Sequence, residues 1–343
     1  MRGLPDPRPL PLRGEDPVSY QVIGIGNAIV DVISHANDLF LDQMGIEKGI
    51  MQLVDRERAE LLYASMKDRV EAPGGSVGNT IAGIGALGLK TAFIGKVKDD
   101  ALGRFYAQAL EASGTAFPLP PQKVELPTSR SMIFVSPDGE RSMNTYLGAG
   151  ADISSADVPD VFEGAQILFL EGYLFDKNEG KTAFTEAAAR IKAAGGKAAI
   201  TISDPFCADR HRADFQRLIA GDVDIAIGNE AEWKTLYETD DLEAALARAS
   251  AVCETVACTR SGDSVWAIRG GQRAEAPVQR VTPVDATGAG DQFAAGFLYG
   301  LATGRDLETA ARMGVICAAE VIGHIGPRPQ ADIMGLFKAA GLV

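Results

Sequence analysis

The segment VDIAIGNEAEWKTLYET, residues 223–239, joins two patterns. Its first half is a short apolar run that ends at a glycine, which is typical of a buried strand. Its second half is typical of a helix. The same pair of patterns recurs along the chain, and near-continuous apolar strands are expected where helices cover both faces of a parallel sheet. The alternation predicts a doubly wound α/β fold with a mostly parallel sheet.

Matching segments run from about residue 20 to the C-terminus. The predicted strands are 20–26, 91–97, 166–173, 197–203, 223–229 and 254–260. The predicted helices are 79–88, 104–114, 181–196, 231–239 and 242–252.

Two segments, about 32–55 and 128–148, interrupt this alternation. The second has two alternating runs around Pro137-Asp138-Gly139, which predicts a β-hairpin. We predict that the two segments form a small β-sheet lid over the carboxyl edge of the main sheet, where ligands bind in such folds.

The composition is that of a soluble globular protein, with 46% hydrophobic and 23% charged residues among 343. A net charge of −13 without any basic run predicts no nucleic-acid partner. No stretch approaches the ~18 consecutive apolar residues of a membrane helix, so no membrane association is expected.

Four cysteines without metal-site spacing favour reduced thiols in a cytoplasmic protein. The proline-rich residues 1–19 predict a flexible extension before one α/β domain, 20–343.

The motif GIGNAIVD (24–31) follows the first predicted strand. It begins like the dinucleotide fingerprint G-x-G-x-x-G, but Ile29 stands at the third glycine position, which argues against a nicotinamide dehydrogenase. Asn27 and Asp31 have side chains suited to binding sugar hydroxyls. A plain turn with an Asx cap explains them equally well.

The motif APGGSVGNTIAG (72–83) is glycine-rich and runs into a helix. Gly74 and Gly75 would let a ligand approach the backbone closely. Ser76 would cap the helix, and Asn79 in its first turn would face the same cleft. Tight helix–sheet packing through the glycines is the alternative.

Two shorter motifs end predicted strands. In GNEAEW (228–233), Asn229 and Glu232 suit either a hydrated Mg²⁺ at a helix start or simple helix capping. In CTRSGDSVWAI (258–268), Thr259 and Gly262 lie in a turn that either contacts phosphate or is only a turn. The chain has no GxxxxGK and no G-x-S-x-G, which argues against a P-loop protein and a serine hydrolase.

The stretch TPVDATGAGDQFAAGF (282–297) places a Gly-Ala-Gly turn before a helix-like run of small residues. Free backbone N–H groups and the helix dipole make such a turn an anion site. Asp291 stands at its mouth, where it would repel a resting phosphate, and we expect the helix N-terminus to keep it ionised. The conflict disappears if charge reaches the turn only during a reaction.

Taken together, these motifs resemble those of the ribokinase/PfkB family of carbohydrate and nucleoside kinases, over roughly residues 20–335. VDATGAGD resembles the C-terminal signature D-T-x-G-A-G-D, with Ala286 in place of the usual threonine. GGSVGNTIAGIGALG resembles the N-terminal signature, and Asn229 and Glu232 match N-x-x-E. The resemblance implies an enzyme that uses ATP and Mg²⁺, with a small lid sheet.

Within the family, GNAIVD, GIEKGIMQLVD and PDGERSM resemble segments of the adenosine kinase branch. This implies transfer of the γ-phosphate of ATP to the 5′-hydroxyl of adenosine, giving AMP in purine salvage. A sugar kinase acting on ribose, fructose or a related sugar is the alternative, as is a guanosine or inosine kinase. A non-catalytic sugar-binding regulator would be expected to lack the acid or the anion turn, and both are present.

The resemblance also implies roles for single residues. Asp291 would be the catalytic base, the backbone of Gly288, Ala289 and Gly290 would stabilise the transferring phosphoryl group, and Arg141 would approach it from the lid. The acceptor would contact Asn27, Asp31, Gly74, Gly75 and Asn79. ATP would contact Asn229, Thr259, Gly262 and Thr287, although Ser261 stands where the family usually has glycine. Glu232 would hold Mg²⁺ through water, and Asp285 would bind a monovalent cation such as K⁺. Such proteins are monomers or homodimers.

Overall fold

The computed structural model describes residues 19–343, so the extension predicted for residues 1–19 lies outside the described residues except for its last one. The strands are β1 (Val22–Ile25), β2 (Ile29–His35), β3 (Met51–Leu53), β4 (Val70–Pro73), β5 (Thr91–Ile94), β6 (Thr115–Ala116), β7 (Ser129–Val135), β8 (Arg141–Tyr146), β9 (Ile167–Glu171), β10 (Lys197–Thr201), β11 (Ile225–Asn229), β12 (Thr255–Thr259), β13 (Val265–Arg269) and β14 (Gln272–Ala276). The helices are α1 (Asp38–Gln43), α2 (Arg56–Ser65), α3 (Ser76–Ala86), α4 (Ala101–Ala112), α5 (Asn178–Ala193), α6 (Pro205–Arg210), α7 (Arg212–Gly221), α8 (Glu230–Tyr237), α9 (Leu242–Ser250), α10 (Ala289–Ala302), α11 (Leu307–Val321) and α12 (Ile333–Ala339).

The main sheet has the strand order β14-β13-β12-β11-β10-β9-β1-β5-β6. The strands of this sheet that run parallel to one another are β12, β11, β10, β9, β1, β5 and β6. Strands β13 and β14 add an antiparallel edge. Successive residues of β1 serve opposite faces: Val22 packs in one apolar core, and Ile23 and Ile25 in another. Helices α3, α4, α10 and α11 cover the first face, and α5, α7, α8 and α9 cover the second. This confirms the predicted doubly wound α/β fold.

A second, smaller sheet has the order β3-β8-β7-β2-β4. Its β7 and β8 are antiparallel, with Ser131 opposite Thr145, which confirms the predicted hairpin. Strand β4 also belongs to this sheet, although it lies outside the segments 32–55 and 128–148. The small sheet carries Asp31 on β2 and Arg141 on β8. Its action as a lid stays a prediction.

The candidate site lies at the carboxyl ends of the parallel strands. Asn27 follows β1, Glu171 ends β9, and Asn229 lies beside Thr259 at the ends of β11 and β12. Helices α3 and α10 pack against each other and begin close to the same edge. Residues from distant parts of the sequence therefore meet there.

No helix within residues 19–343 is long and apolar enough to cross a membrane. The four cysteines are buried and unpaired.

Candidate active site

Asp291 owes its position to the glycine before α10. Gly288 is the N-cap of the helix and has φ +82°, in the left-handed region that favours glycine. A Cβ at this residue would also lie 2.6 Å from the Cα of Pro327. The tight turn starts α10 at Ala289 and sets Asp291 in the first helical turn.

The carboxylate of Asp291 is held by the first turn of α3. Ser76 Oγ donates to Asp291 Oδ1 at 2.6 Å, and Asn79 Nδ2 donates to Oδ2 at 3.1 Å. Thr80 Oγ1 donates to the Asp291 carbonyl at 3.0 Å. The prediction that Ser76 caps α3 is wrong, because Gly75 is the N-cap and the Ser76 hydroxyl turns to Asp291 instead.

Burial raises the pKa of Asp291 to about 6, although the hydrogen bonds from Ser76 and Asn79 oppose the shift. The helix N-terminus was expected to keep this group ionised, and burial makes its ionisation less favourable than that of an exposed aspartate. The carboxylate is still mostly ionised at neutral pH. A base with a pKa near the working pH is well matched to proton transfer.

The anion turn is open on its outer side. Outside the turn and its own helix, the described residues place no heavy atom within 4 Å of a Cβ on Gly290. The Ala289 N–H donates to the Ala286 carbonyl at 3.2 Å, whereas the described residues supply no acceptor for the N–H of Gly290. The turn therefore has an unused donor where a ligand can reach it, and its role as an anion hole stays a prediction.

Glycines shape the predicted acceptor side. A Cβ on Gly74 would lie 2.6 Å from Asp31 Oδ2, so the Asp31 carboxylate lies directly against this glycine. Gly75 has φ +88°, and a Cβ there would collide with the Asn27 carbonyl. Larger residues at 74 or 75 would displace both polar residues of GIGNAIVD.

The pKa of Asp31 rises to about 7. Burial is the main cause, and the charge of Asp291 adds to it. The charges of Arg141 and Arg328 act in the opposite direction. The two aspartates thus share one partly buried electrostatic environment that two arginines balance.

Glu171 is a buried site residue that sequence reasoning missed. Its Oε1 accepts from Asn27 Nδ2 at 2.8 Å and from Asn27 N at 3.3 Å, and its Oε2 accepts from Val77 N at 3.1 Å. Burial raises its pKa to about 7. Glu171 therefore ties the loop after β1 to the start of α3. The signal was a glutamate ending the apolar run QILFLE.

Arg141 reaches from the small sheet to the stretch before α10. Its Nη1 donates to Asp285 Oδ2 and, at 3.2 Å, to Thr287 Oγ1, and its buried Nε has no partner among the described residues. Asp285 also accepts from the N–H groups of Thr287 at 3.0 Å and Gly326 at 3.1 Å. Burial alone would raise the pKa of Asp285, but these hydrogen bonds and the Arg141 charge hold it below its ordinary value. Binding of K⁺ by Asp285 stays a prediction.

Arg328 was also missed, because GPRP matches none of the recognised motifs. Its Nε lies 3.5 Å from Asn79 Oδ1. It brings a second guanidinium to the predicted acceptor side, next to Asn79.

Asn229 and Glu232 form a capping box at the start of α8. The Asn229 side chain accepts from Glu232 N at 2.9 Å, and Glu232 accepts from Asn229 N at 2.8 Å and from its Nδ2 at 2.6 Å. Burial raises the pKa of Glu232 to about 7. The capping alternative thus describes the geometry, and a role on Mg²⁺ or ATP stays a prediction.

The other predicted ATP contacts are spread out. Thr259 pairs with Asn229 across the sheet, whereas Gly262 lies in an exposed turn. Thr287 is near Arg141, at the other end of the predicted site.

The pattern of the pfkB family of carbohydrate kinases matches residues 49–333. The chain belongs to this family. The kinase is similar to a probable sugar kinase from Rhizobium etli CFN 42 (44% identity, 94% of this chain and 99% of that chain, TM-score 0.87). It is equally similar to an adenosine kinase from Sinorhizobium meliloti (44% identity, 94% and 100%, TM-score 0.87). A fructokinase from Vibrio alginolyticus is 28% identical over 70% of this chain and 80% of its own length.

The pfkB fold of this kinase gathers two sets of the predicted residues. The first joins Asp291 to the predicted acceptor side and comprises Asn27, Asp31, Gly74, Gly75, Asn79, Gly288, Ala289 and Gly290. The second comprises Arg141, Asp285 and Thr287.

Aromatic residues for a base pocket are less clearly placed. Phe175 is buried in the core with its ring centroid 4.8 Å from that of Phe215, so it is unavailable to a ligand of the kinase. Phe206, at the start of α6, is 78% exposed.

Proposed function

We propose that this kinase transfers the γ-phosphate of ATP to the 5′-hydroxyl of adenosine, giving AMP and ADP. The observation that carries the proposal is the convergence of Ser76 and Asn79 on the Asp291 carboxylate at the opening of α10. The similarity to the Sinorhizobium meliloti adenosine kinase supports adenosine as the acceptor.

Asp291 is the base in this proposal. Its carboxylate hydrogen-bonds the 5′-hydroxyl and takes the proton as the oxygen bonds to phosphorus. Ser76 and Asn79 each occupy one lone pair of the carboxylate, which fixes its plane and leaves the remaining lone pairs for the hydroxyl. The oriented hydroxyl supplies much of the catalysis, because phosphoryl transfer depends mainly on positioning and charge stabilisation.

The ribose lies against Asp31 in this proposal. Asp31 accepts hydrogen bonds from ribose hydroxyls, and the glycines at 74 and 75 let its carboxylate and the Asn27 carbonyl lie against the backbone there. Asn27 Oδ1 is buried and has no partner among the described residues, so it offers a further acceptor for a hydroxyl.

In this proposal, two positive features stabilise the negative charge on the transferring phosphoryl group. The N-terminus of α10 presents the Gly290 N–H, which has no acceptor among the described residues, and the positive end of the helix dipole. Arg141, which is fixed by Asp285 and Thr287, has a buried Nε still unpaired among the described residues.

Mg²⁺ bound with ATP supplies charge neutralisation on the phosphates. Within residues 19–343 no group of three His, Cys, Asp or Glu side chains is arranged to hold a metal ion. Mg²⁺ usually keeps several waters and is bound largely by substrate phosphates. Glu232 would hold it through water, and Asp285 would be the ligand of a monovalent cation.

A sugar kinase is the second candidate. The Rhizobium etli probable sugar kinase is as similar to this chain as the adenosine kinase is, and the Vibrio alginolyticus fructokinase is a more distant relative. A free sugar would use the same Asp31 and Asp291, but would bring no base with it.

A coupled ADP-release assay separates the candidates. The panel contains adenosine, guanosine, inosine, ribose and fructose, each with ATP and Mg²⁺. We expect turnover with adenosine at micromolar concentration. Turnover with a sugar alone would replace adenosine by that sugar, and an inactive panel with intact protein would refute both candidates. Running the assay once in a K⁺ buffer and once with K⁺ replaced by a bulky organic cation tests the proposed monovalent cation site at Asp285.

A further inference from the structure

The loop between α11 and α12 is fixed against the start of α10. Gly326 has φ +103°, and its N–H donates to Asp285 Oδ2 at 3.1 Å. The Pro327 carbonyl accepts from Gln292 Nε2 at 3.0 Å, and Pro327 packs on Gly288. The backbone that carries the next residue, Arg328, is therefore held in place.

The Arg328 side chain turns towards the acceptor side of the cleft. Its Nε approaches Asn79 Oδ1 at 3.5 Å, and Asn79 in turn donates to Asp291. Its Nη2 is buried and has no hydrogen-bond partner within residues 19–343. A buried guanidinium N–H without an acceptor is unfavourable, so this donor is suited to a ligand oxygen.

The neighbours of Arg328 show where that oxygen would be. Asp31 and Tyr106 are the titratable groups that act on its charge. Tyr106 Oη donates to the Gly74 carbonyl at 3.1 Å, and Gly74 lies against the Asp31 carboxylate. The unpaired donor and the Asp31 carboxylate therefore serve the same small region.

We propose that Arg328 binds the acceptor. Its Nη2 donates a hydrogen bond to one hydroxyl oxygen of the vicinal diol, and Asp31 accepts hydrogen bonds from the same diol. Each hydroxyl both donates and accepts, so a carboxylate and a guanidinium together satisfy a diol better than a carboxylate alone. A neutral polyol also adds no charge to the balance between the two aspartates, Asp31 and Asp291, and the two arginines, Arg141 and Arg328. The inference rests on the proposed function, since it takes a ribosyl acceptor.

The test compares wild type with Arg328→Gln on adenosine, 2′-deoxyadenosine and 3′-deoxyadenosine. We expect the variant to lose about 10-fold to 100-fold in kcat/KM for adenosine, mainly through the acceptor KM. The ATP KM should stay the same. With the analogue that lacks the bonded hydroxyl, the loss should shrink to less than about 3-fold, because the interaction is already missing. An equal loss with all three acceptors, or no loss with any, would overturn the proposal.

Controls separate binding from folding. Arg312→Gln removes another partly buried arginine, which contacts the Ala340 carbonyl away from the site, and should leave all three acceptors unaffected. Arg328→Lys keeps the charge and should give an intermediate loss. Calorimetric titration with adenosine in the absence of ATP should show that Arg328→Gln weakens adenosine binding by the same factor as it raises the acceptor KM. If wild type itself rejects adenosine, the proposed function fails first, and the comparison is repeated with the active sugar and its deoxy forms.

Discussion

The Ser76 hydroxyl donates to the Asp291 carboxylate at 2.6 Å, although 215 positions separate the two residues. One belongs to the first turn of α3 and the other to the first turn of α10, so two helix N-termini face the same carboxylate. A donor at this position stabilises the ionised form of the acid.

Replacing Ser76 by alanine should therefore raise the pKa of Asp291 above about 6. The carboxylate would then be partly protonated at neutral pH, and kcat at pH 7 should fall several-fold. The loss should recover at pH 8.5 to 9, where the acid is ionised again. A pH series of initial rates measures this.

A matched control is Ser113→Ala, which removes a hydroxyl that donates to Leu110 O at 2.7 Å at the end of α4. It should leave the pH profile unchanged. A Ser76→Ala loss that is the same at every pH would show that Ser76 acts other than through the charge of Asp291.

Asp291→Asn should keep the fold and lower kcat by about 10²–10⁴, the usual contribution of a general base. Asn79 and Ser76 can still hydrogen-bond the amide after it reorients. Single-turnover kinetics measure the chemical step, and ATP binding and thermal unfolding check that the protein is intact. Turnover within a few-fold of wild type would remove Asp291 from the role of base.

Asp31→Asn should raise the KM of the acceptor far more than that of ATP, because Asp31 lies against Gly74 on the acceptor side. Initial rates over both substrate concentrations give the two constants. Asp42→Asn, an exposed aspartate in α1, is the matched control. Equal increases in both KM values would contradict the assignment of Asp31 to the acceptor.

The acid side of the pH profile should report both aspartates. Their pKa values are raised, to about 7 for Asp31 and about 6 for Asp291, so each carboxylate is lost as pH falls through that range. The logarithm of kcat/KM for the acceptor should thus fall as pH drops below 7. Its slope against pH should approach 2, because two protons are taken up. In Asp31→Asn the slope should approach one, with its midpoint near pH 6. A wild-type profile flat down to pH 5 would contradict the raised values.

Two glycines of the anion turn should respond differently to alanine. Gly288 has a positive φ and lies against Pro327, so Gly288→Ala should lower the free energy of unfolding by ~1–3 kcal/mol. Gly290 has open space around it, so Gly290→Ala should leave stability the same or slightly higher. Urea unfolding of both variants measures the difference, and equal destabilisation would exclude backbone strain at Gly288 as the cause.

Much of the fold could be predicted from local patterns. The apolar runs that became β1, β5 and β9 to β12 are buried on both faces, so each is recognisable by itself. Strand β4, VEAP, is short and mostly exposed or half-buried, and only its pairing with β2 makes it a strand. Helices α6 and α7 lie in a stretch interrupted by Pro205 and polar residues, where the apolar spacing is weak.

The site was partly predictable for a similar reason. Motif residues such as Asp291 and Asn79 were found because their neighbours in sequence carry the signal. Glu171 and Arg328 act through contacts with residues more than 90 positions away. The glutamate that ends QILFLE was the one local sign of Glu171, and no local pattern marks Arg328. The direction of the Ser76 hydroxyl was missed because Asp291 is distant in sequence.

The placement of these residues along the chain has a consequence for synthesis. Asp31, Ser76 and Asn79 all lie in the first quarter of the sequence, whereas Asp291 and Arg328 lie in the last. A nascent chain on the ribosome thus exposes the residues of the proposed acceptor side long before it has Asp291, the proposed base. Any fragment that stops short of residue 291 lacks that acid, so only the nearly finished polypeptide can assemble the complete site.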